Sequence, residues 1–63
     1  MNQYLIEYEA VDAHGFLVHD QWREAADCAE NARRLLVEKC LAAGGTVVRI
    51  VRVRLEPTGR GPG

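Results

Sequence analysis

Three arginines near the end of the chain are the residues whose type and spacing suggest chemistry. Arg49, Arg52 and Arg54 stand among aliphatic residues in the stretch GGTVVRIVRVRL, residues 44–55. A guanidinium group carries a permanent positive charge and donates paired hydrogen bonds to carboxylates or phosphates. The three side chains could therefore contact nucleic acid, dock on a protein, or be neutralised by carboxylates of the same chain.

The other reactive side chains do not form a catalytic pattern. The sequence has no serine, and its paired glycines are not followed by the GK[ST] of a phosphate-binding loop. His14 is expected in a turn and His19 in a strand, where solvated or structural roles are usual. A chain of 63 residues also has little room for a concave substrate pocket. We therefore expect a protein that is not an enzyme and has no cofactor.

The two cysteines predict neither a disulfide nor a metal site. Cys28 and Cys40 lie in one predicted helix at a separation of roughly 18 Å, which exceeds the reach of a disulfide. Together with His14 and His19 they lack the paired spacing, such as CxxC, of zinc ligands. We expect two buried thiols and no bound metal.

Length and composition indicate one small domain outside the membrane. The chain has 63 residues, of which 48% are hydrophobic, enough for one thin core. Domains of this size often gain stability from a second subunit, so a homodimer is expected. No apolar run approaches the ~20 residues of a membrane span, and no basic segment precedes an apolar one at the N-terminus. The predicted location is the cytoplasm.

The near-neutral net charge of −1 conceals an uneven distribution. Residues 1–30 hold seven acidic residues and one arginine, whereas residues 31–63 hold seven basic residues and two glutamates. Such asymmetry is typical of proteins that bind a charged partner, but it also arises when two halves neutralise each other after folding.

The N-terminal segment predicts a β-hairpin. In QYLIEYEAV, residues 3–11, apolar residues alternate with polar ones, and DAHG then supplies the Asp12 and Gly15 that tight turns favour. FLVHDQW continues with Phe16, Val18 and Trp22 at even spacing, which predicts a second strand. The end of that strand stays open, because QWREAAD has strong helix propensity and Asp20 could cap an early helix.

A helix is expected from Asp27 as the main alternative to a start near Asp20. Asp27 and Glu30 have the spacing of a capping box, and Gly44 and Gly45 are expected to end the helix. The predicted inward stripe has helical spacing and consists of Ala29, Ala32, Leu36, Cys40 and Ala43. Val37 and Leu41 lie off that stripe, so they either widen the core face or form the contact of a homodimer.

Residues Thr46 to Leu55 predict a third strand that contains an irregularity. Val48 and Ile50 share one parity of the strand, while Val51, Val53 and Leu55 share the other. A β-bulge near Ile50–Val51 would turn both apolar sets inward and the three arginines outward.

These elements predict an α+β fold of ββαβ type. One helix should pack on one face of a three-stranded antiparallel sheet in the order 2-1-3. The domain is expected to span residues 1–55, followed by a flexible Pro/Gly-rich tail over residues 56–63. In this arrangement Glu7 and Glu9 share the outward face with the arginines, so a ladder of Glu–Arg pairs is one explanation for the basic strand.

Three segments together resemble a known group of proteins. YLIEYEAV, EAADCAENARRL and GGTVVRIVRV resemble small phage-encoded anti-CRISPR inhibitors of type I systems, which pair an Ala-rich helix with a closing G-T-V-x-R-I strand. The residues that match this strand are Gly45, Thr46, Val47, Arg49 and Ile50. The resemblance implies a non-enzymatic inhibitor that binds a CRISPR–Cas effector complex in the bacterial host cell and blocks DNA binding or nuclease recruitment.

The predicted function is therefore the binding of a bacterial protein or nucleoprotein complex, with Cas proteins as the expected partners. The predicted contact residues are Arg49, Arg52, Arg54, Glu7 and Glu9. The alternative is a small nucleic-acid-binding or regulatory protein that uses the basic third strand. Nucleic acid ranks second, because the net charge is slightly negative and no aromatic stacking platform is evident.

Overall fold

A computed structural model of the protein describes residues 1–56, which form three strands and one helix. The elements are β1 (Asn2–Val11), β2 (Leu17–Ala26), α1 (Ala29–Ala42) and β3 (Thr46–Glu56). The strands form one antiparallel sheet in the order β2-β1-β3, which confirms the predicted ββαβ fold and strand order. β3 extends one residue past the predicted domain limit, so Glu56 is strand and not part of the predicted tail over residues 56–63; residues 57–63 of that tail lie outside the described residues.

Strand β1 is the centre of the sheet and supplies most of the core. Its burial alternates strictly: Tyr4, Ile6, Tyr8 and Ala10 are buried, and the residues between them are half-buried. The even-numbered side chains of β1 pack with Ala26 of β2 and with Ala32 and Leu36 of α1. Ile6 is the largest side chain that is fully buried, so the core is thin, as the chain length predicts.

The β1–β2 connection is built by Asp12 and Gly15, as the sequence predicts. The Asp12 carboxylate accepts hydrogen bonds from the N–H groups of His14 (2.9 Å) and Phe16 (3.0 Å). Gly15 adopts φ +88°, a left-handed conformation that glycine takes without a steric penalty. Its N–H donates to the Asp12 carbonyl at 3.0 Å and closes the turn.

Strand β2 is longer than the sequence pattern indicates. Its ten residues pair with β1 without a register shift, from Leu17 opposite Val11 to Ala26 opposite Asn2. The segment QWREAA is therefore strand, and the alternative of a helix that begins near Asp20 is wrong. Pairing along the whole of β1 outweighs local helix propensity, which amounts to a few tenths of a kcal/mol per residue.

The N-cap of helix α1 lies one residue later than predicted, and the predicted capping box does not form. Cys28 is the N-cap and its side chain makes no capping hydrogen bond. The Asp27 carboxylate instead accepts a hydrogen bond from the Asn31 side chain, at 2.6 Å. This bond is the main reason why the pKa of Asp27 lies below its ordinary value. The capping-box prediction for Asp27 and Glu30 is wrong because Cys28 is the N-cap and the Asp27 carboxylate bonds to the side chain of Asn31, in the first turn of the helix.

The helix ends at the two glycines, as predicted. The N–H of Gly44 donates to the Leu41 carbonyl at 3.0 Å, and the N–H of Gly45 donates to the Cys40 carbonyl at 2.9 Å, which is the pattern of a Schellman cap. Gly44 has φ +89°. A Cβ atom on Gly45 would lie 2.9 Å from the Val11 carbonyl oxygen, so glycine also permits the close approach of this loop to β1.

The inward stripe of α1 is shorter than predicted. Ala32 and Leu36 are buried, and Ala29 and Cys40 pack against the core as half-buried residues. Ala43, expected on this stripe, is the exposed C-cap residue. The C-terminal end of the helix therefore covers the sheet incompletely.

A polar cluster links α1 to β2. The buried Glu24 carboxylate accepts hydrogen bonds from Trp22 Nε1 at 2.9 Å and from Lys39 Nζ at 3.0 Å. Lys39 Nζ also lies 5.8 Å from the centre of the Trp22 ring, within the range of a cation–π contact. Burial raises the pKa of Glu24, but these hydrogen bonds and the Lys39 charge outweigh burial and lower the pKa below its ordinary value of 4.5.

The lowered pKa of Glu24 predicts a pH-dependent contribution to stability. The ionised carboxylate is favoured in the folded state, so its contribution is complete above pH 4.5 and is lost as the pH falls through the folded-state pKa. We expect Glu24→Gln to lower the free energy of unfolding by about 1 kcal/mol at pH 7, because Lys39 is half exposed and loses only part of an ion pair. Urea unfolding of both proteins from pH 7 to pH 3 should show this difference shrinking; a constant difference would contradict the assignment.

Candidate functional site

The face of the sheet opposite α1 carries most of the charged residues of the strands. Because the even-numbered residues of β1 are buried under the helix, the odd-numbered residues and their cross-strand partners point to the other side. We call this surface the open face. It consists of Leu17, His19, Gln21, Arg23 and Ala25 of β2, Gln3, Leu5, Glu7, Glu9 and Val11 of β1, and Thr46, Arg49, Arg52, Arg54 and Glu56 of β3.

Two β-bulges in β3 bring the three arginines to this face. Glu7 pairs with Arg52 and Tyr8 with Ile50, so Val51 is an extra residue at the predicted position. A second bulge, which the sequence does not predict, makes Val48 an extra residue between the partners of Glu9 and Ala10. Val48 and Val51 are exposed, which corrects the expectation that both apolar sets turn inward.

The inward positions of β3 are consequently fewer than predicted. Val47, Ile50 and Val53 pack against the core opposite Ala10, Tyr8 and Ile6. Leu55 comes opposite Tyr4 but lies beyond the helix and is exposed. Three inward residues are enough to hold β3 on the sheet and to fix the direction of the arginines.

The predicted contact residues come together, but they do not form a continuous Glu–Arg ladder. Arg49 Nε donates to the Glu9 carboxylate at 3.2 Å, which is one of the expected pairs. Arg52 lies opposite Glu7 and Arg54 opposite Leu5. Neither of these two arginines has a carboxylate within ion-pair distance among residues 1–56.

Each of the three carboxylates on the open face is paired with a basic residue other than Arg52 or Arg54. Glu7 Oε2 lies 2.8 Å from His19 Nε2, on the β2 side, rather than on the Arg52 side. Glu56 Oε1 accepts a hydrogen bond from Arg23 Nε at 2.9 Å across the sheet. With Glu9 held by Arg49, the three glutamates leave a positive excess at one end of the open face, around Arg52 and Arg54.

A shallow cleft lies between these two arginines and β2. It has a volume of about 80 Å³ and is lined by Leu5, Glu7, Gln21, Arg52 and Arg54. The lining combines one apolar side chain, Leu5, with two guanidinium groups and with the Glu7 carboxylate, which is paired with His19. An acidic side chain with some apolar surface would fit this combination, because arginine donors bind carboxylates in a paired geometry.

The predicted dimer contacts lie elsewhere. Val37 and Leu41 are on α1, across the sheet from the open face; Val37 is half-buried and Leu41 is 57% exposed. Their positions do not distinguish a wide core from a subunit contact. Within residues 1–56, Leu41 is the exposed large hydrophobic residue of the helix.

The structure adds three residues that sequence reasoning did not assign to the site. His19, Arg23 and Glu56 determine which carboxylates are available on the open face. A signal for the first two was present: if Val18 and Trp22 point to the helix side, alternation places His19, Gln21 and Arg23 on the opposite face. This alternation could not be applied to the sequence, because the residues after Asp20 could have been either strand or helix.

The cysteines and other potential ligands form no second site in the described part of the chain. Cys28 is exposed, which corrects its prediction as a buried thiol, and Cys40 is half-buried; both are free. No group of three or more His, Cys, Asp or Glu side chains within residues 1–56 is arranged to hold a metal ion. No helix in this range is long and apolar enough to cross a membrane.

Comparison of the chain with protein-family models, with curated proteins and with solved structures gives no match. The resemblance to type I anti-CRISPR inhibitors therefore stays a prediction from the sequence segments alone.

The two bulges predict different responses to the same substitution at neighbouring positions. Val51 is an exposed bulge residue and Val53 packs on the core, although both would share one face of a regular strand. We expect Val51→Thr to change the free energy of unfolding by less than about 0.5 kcal/mol. Val53→Thr should lower it by about 1–3 kcal/mol, because a hydroxyl replaces a packed methyl group. Equal losses in chemical denaturation would indicate a regular strand instead.

Proposed function

We propose that this protein acts by binding another protein, without catalysing a reaction, and that the open face is its contact surface. One observation carries the proposal: Arg52 and Arg54 lack carboxylate partners within residues 1–56, while Glu7, Glu9 and Glu56 are each held by another base. Exposed arginines with free donors are frequent anchors of protein interfaces. They offer an acidic partner two guanidinium groups.

The partner proposed first is a subunit of a type I CRISPR–Cas effector complex in the bacterial cytoplasm. This choice rests on the resemblance of the strand and helix segments to anti-CRISPR inhibitors. Occupation of an acidic surface on such a complex would block DNA binding or the recruitment of the nuclease. The role requires only a rigid surface, and a three-stranded sheet backed by a helix supplies one.

Nucleic acid is the second candidate, because the same two arginines could contact phosphates. One feature favours a protein. The tyrosines Tyr4 and Tyr8 are buried on the helix side, and none of the open-face residues is Phe, Tyr or Trp, so bases have no large aromatic stacking platform there.

The first test compares two double variants that remove the same charge. Arg52→Ala with Arg54→Ala removes the partnerless arginines, while Arg33→Ala with Arg34→Ala removes two exposed arginines of α1. We expect the first pair to weaken binding to a purified type I effector complex by at least about tenfold, and the second pair to leave it nearly unchanged. Binding should be measured by biolayer interferometry, with circular dichroism as the folding control.

The result can contradict the proposal in two ways. Equal losses in both double variants would indicate a general charge effect rather than an open-face contact. Binding that disappears when the complex is treated with nuclease would indicate that the arginines hold nucleic acid, and the second candidate would replace the first.

A second test leaves the arginines intact and changes their environment. Glu7 lies opposite Arg52 but is held by His19 at 2.8 Å. His19→Ala should release the Glu7 carboxylate to pair with Arg52, so we expect partner affinity to fall about threefold. In the double variant His19→Ala with Glu7→Gln, affinity should recover. A loss that persists in the double variant would show that His19 contacts the partner directly.

A further inference from the structure

The two edges of the sheet differ in their capacity to pair with another strand. The β3 edge contains two bulges and three arginines, features that discourage strand pairing. The β2 edge has no bulge: its ten residues pair with β1 without interruption and include no proline or glycine, and its charged residues are Asp20, Arg23 and Glu24. Its other side is unpaired within residues 1–56. A long regular edge of this kind is a template for an added strand.

The turn determines which main-chain groups of β2 face this edge. The N–H of Asp12 donates to the Phe16 carbonyl at 2.9 Å, so residues 12 and 16 form a hydrogen-bonded pair. Hydrogen-bonded pairs recur at every second residue of an antiparallel ladder. The even-numbered residues of β2 therefore bond to β1, and the main-chain groups of its odd-numbered residues point outward: Leu17, His19, Gln21, Arg23 and Ala25.

An apolar groove runs beside the same edge, on the helix side of the sheet. Two adjoining clefts of about 190 and 170 Å³ share Tyr8, Cys40 and Ala43 as lining residues. Trp22 lines the first cleft and Val18 the second. Both side chains are partly uncovered, at 39% exposure for Trp22 and 38% for Val18.

We propose that β2 pairs with β2 of a second copy of this chain, antiparallel and centred on Asp20, to give a six-stranded sheet. In this register Val18 of each copy lies opposite Trp22 of the other, so symmetry forms the apolar pair twice and extends the groove lining across the dimer. The outward main-chain groups of His19 and Gln21 then meet as hydrogen-bonded partners. This interface does not involve Arg52 or Arg54, which lie on β3 at the other edge of the sheet.

The size of the edge is consistent with a dimer. In the register centred on Asp20, residues 17–23 of the two copies pair with each other, which gives a paired edge of about 23 Å at roughly 3.3 Å per residue. A standard interface takes about 800 Å² from each partner, which is under one fifth of the 4319 Å² accessible surface of the chain. Leu17, the first residue of β2, and Phe16, the residue before it, add exposed apolar surface near this edge, at 64% and 68% exposure. A second copy would also enlarge a core that has one fully buried large side chain.

Asp20 opposes this pairing and provides a sharp test. Its carboxylate accepts a hydrogen bond from the Gln21 N–H at 2.8 Å, which occupies one outward donor of the edge. In the proposed register Asp20 also lies opposite its own copy, where like charges repel. Asp20→Asn should therefore tighten the dimer by about threefold, an effect that loss of folding cannot imitate.

The experiment is sedimentation equilibrium of the full chain from about 1 to 100 μM, the range in which weak dimers dissociate. We expect a species of twice the chain mass of 7.0 kDa that dissociates on dilution. Gln21→Pro should give a monomer, because it blocks the edge while removing an N–H that does not bond to β1. Circular dichroism and urea unfolding check that this variant still folds.

The matched control is Leu41→Asp, which changes the exposed large hydrophobic residue of α1 and should leave the dimer intact. Loss of the dimer in this variant, with retention in Gln21→Pro, would place the interface on the helix and overturn the proposal. A wild-type chain that stays at 7.0 kDa throughout would overturn it as well. Weaker dimerisation of Asp20→Asn would contradict the register centred on Asp20.

Discussion

The two bulges of β3 are the constraint on which the surface of this protein depends. Arg49 has the opposite parity from Arg52 and Arg54, so a regular strand would direct one of these sets under the helix. With Val48 and Val51 set aside as bulge residues, the remaining strand reads T-V-R-I-R-V-R-L-E and alternates throughout. Burial of a guanidinium group without a partner would cost several kcal/mol, whereas an exposed bulge costs little. The bulges therefore give one thin core and one charged face.

Charge distribution on the open face follows from the central position of β1. Its glutamates have a strand on each side, so each carboxylate can pair with a basic residue of β2 or with one of β3. Glu9 pairs with Arg49 of β3, whereas Glu7 pairs with His19 of β2. The pairing of Glu7 with His19 leaves Arg52 without its cross-strand carboxylate. The asymmetry between the two halves of the sequence is thus only partly neutralised by folding. Exposed pairs of this kind contribute little to stability, so a binding partner could compete for either member.

The sequence predicts the strand order and one bulge because apolar periodicity reports the core directly. It does not predict the extent of β2, since QWREAA has helix propensity and only its pairing with β1 reveals a strand. The capping box fails for a local reason: Asp27 has two acceptable partners and bonds to Asn31. The partner of Glu7 could not be predicted either, because Arg52 lies directly opposite Glu7 in the register, yet the carboxylate bonds to His19, the diagonal neighbour that lies opposite Glu9.

Arg52 and Arg54 lie on β3, at the opposite edge of the sheet from β2, so pairing along the β2 edge leaves these two arginines accessible. A twofold axis perpendicular to the sheet would keep both open faces on the same side of a six-stranded sheet. Arg52 and Arg54 of each copy would then form two basic sites on one continuous surface. A partner with repeated acidic surfaces could engage both sites at once, and the second contact would form at a high effective concentration. Small individual contacts could in this way give tight binding by a chain of 63 residues.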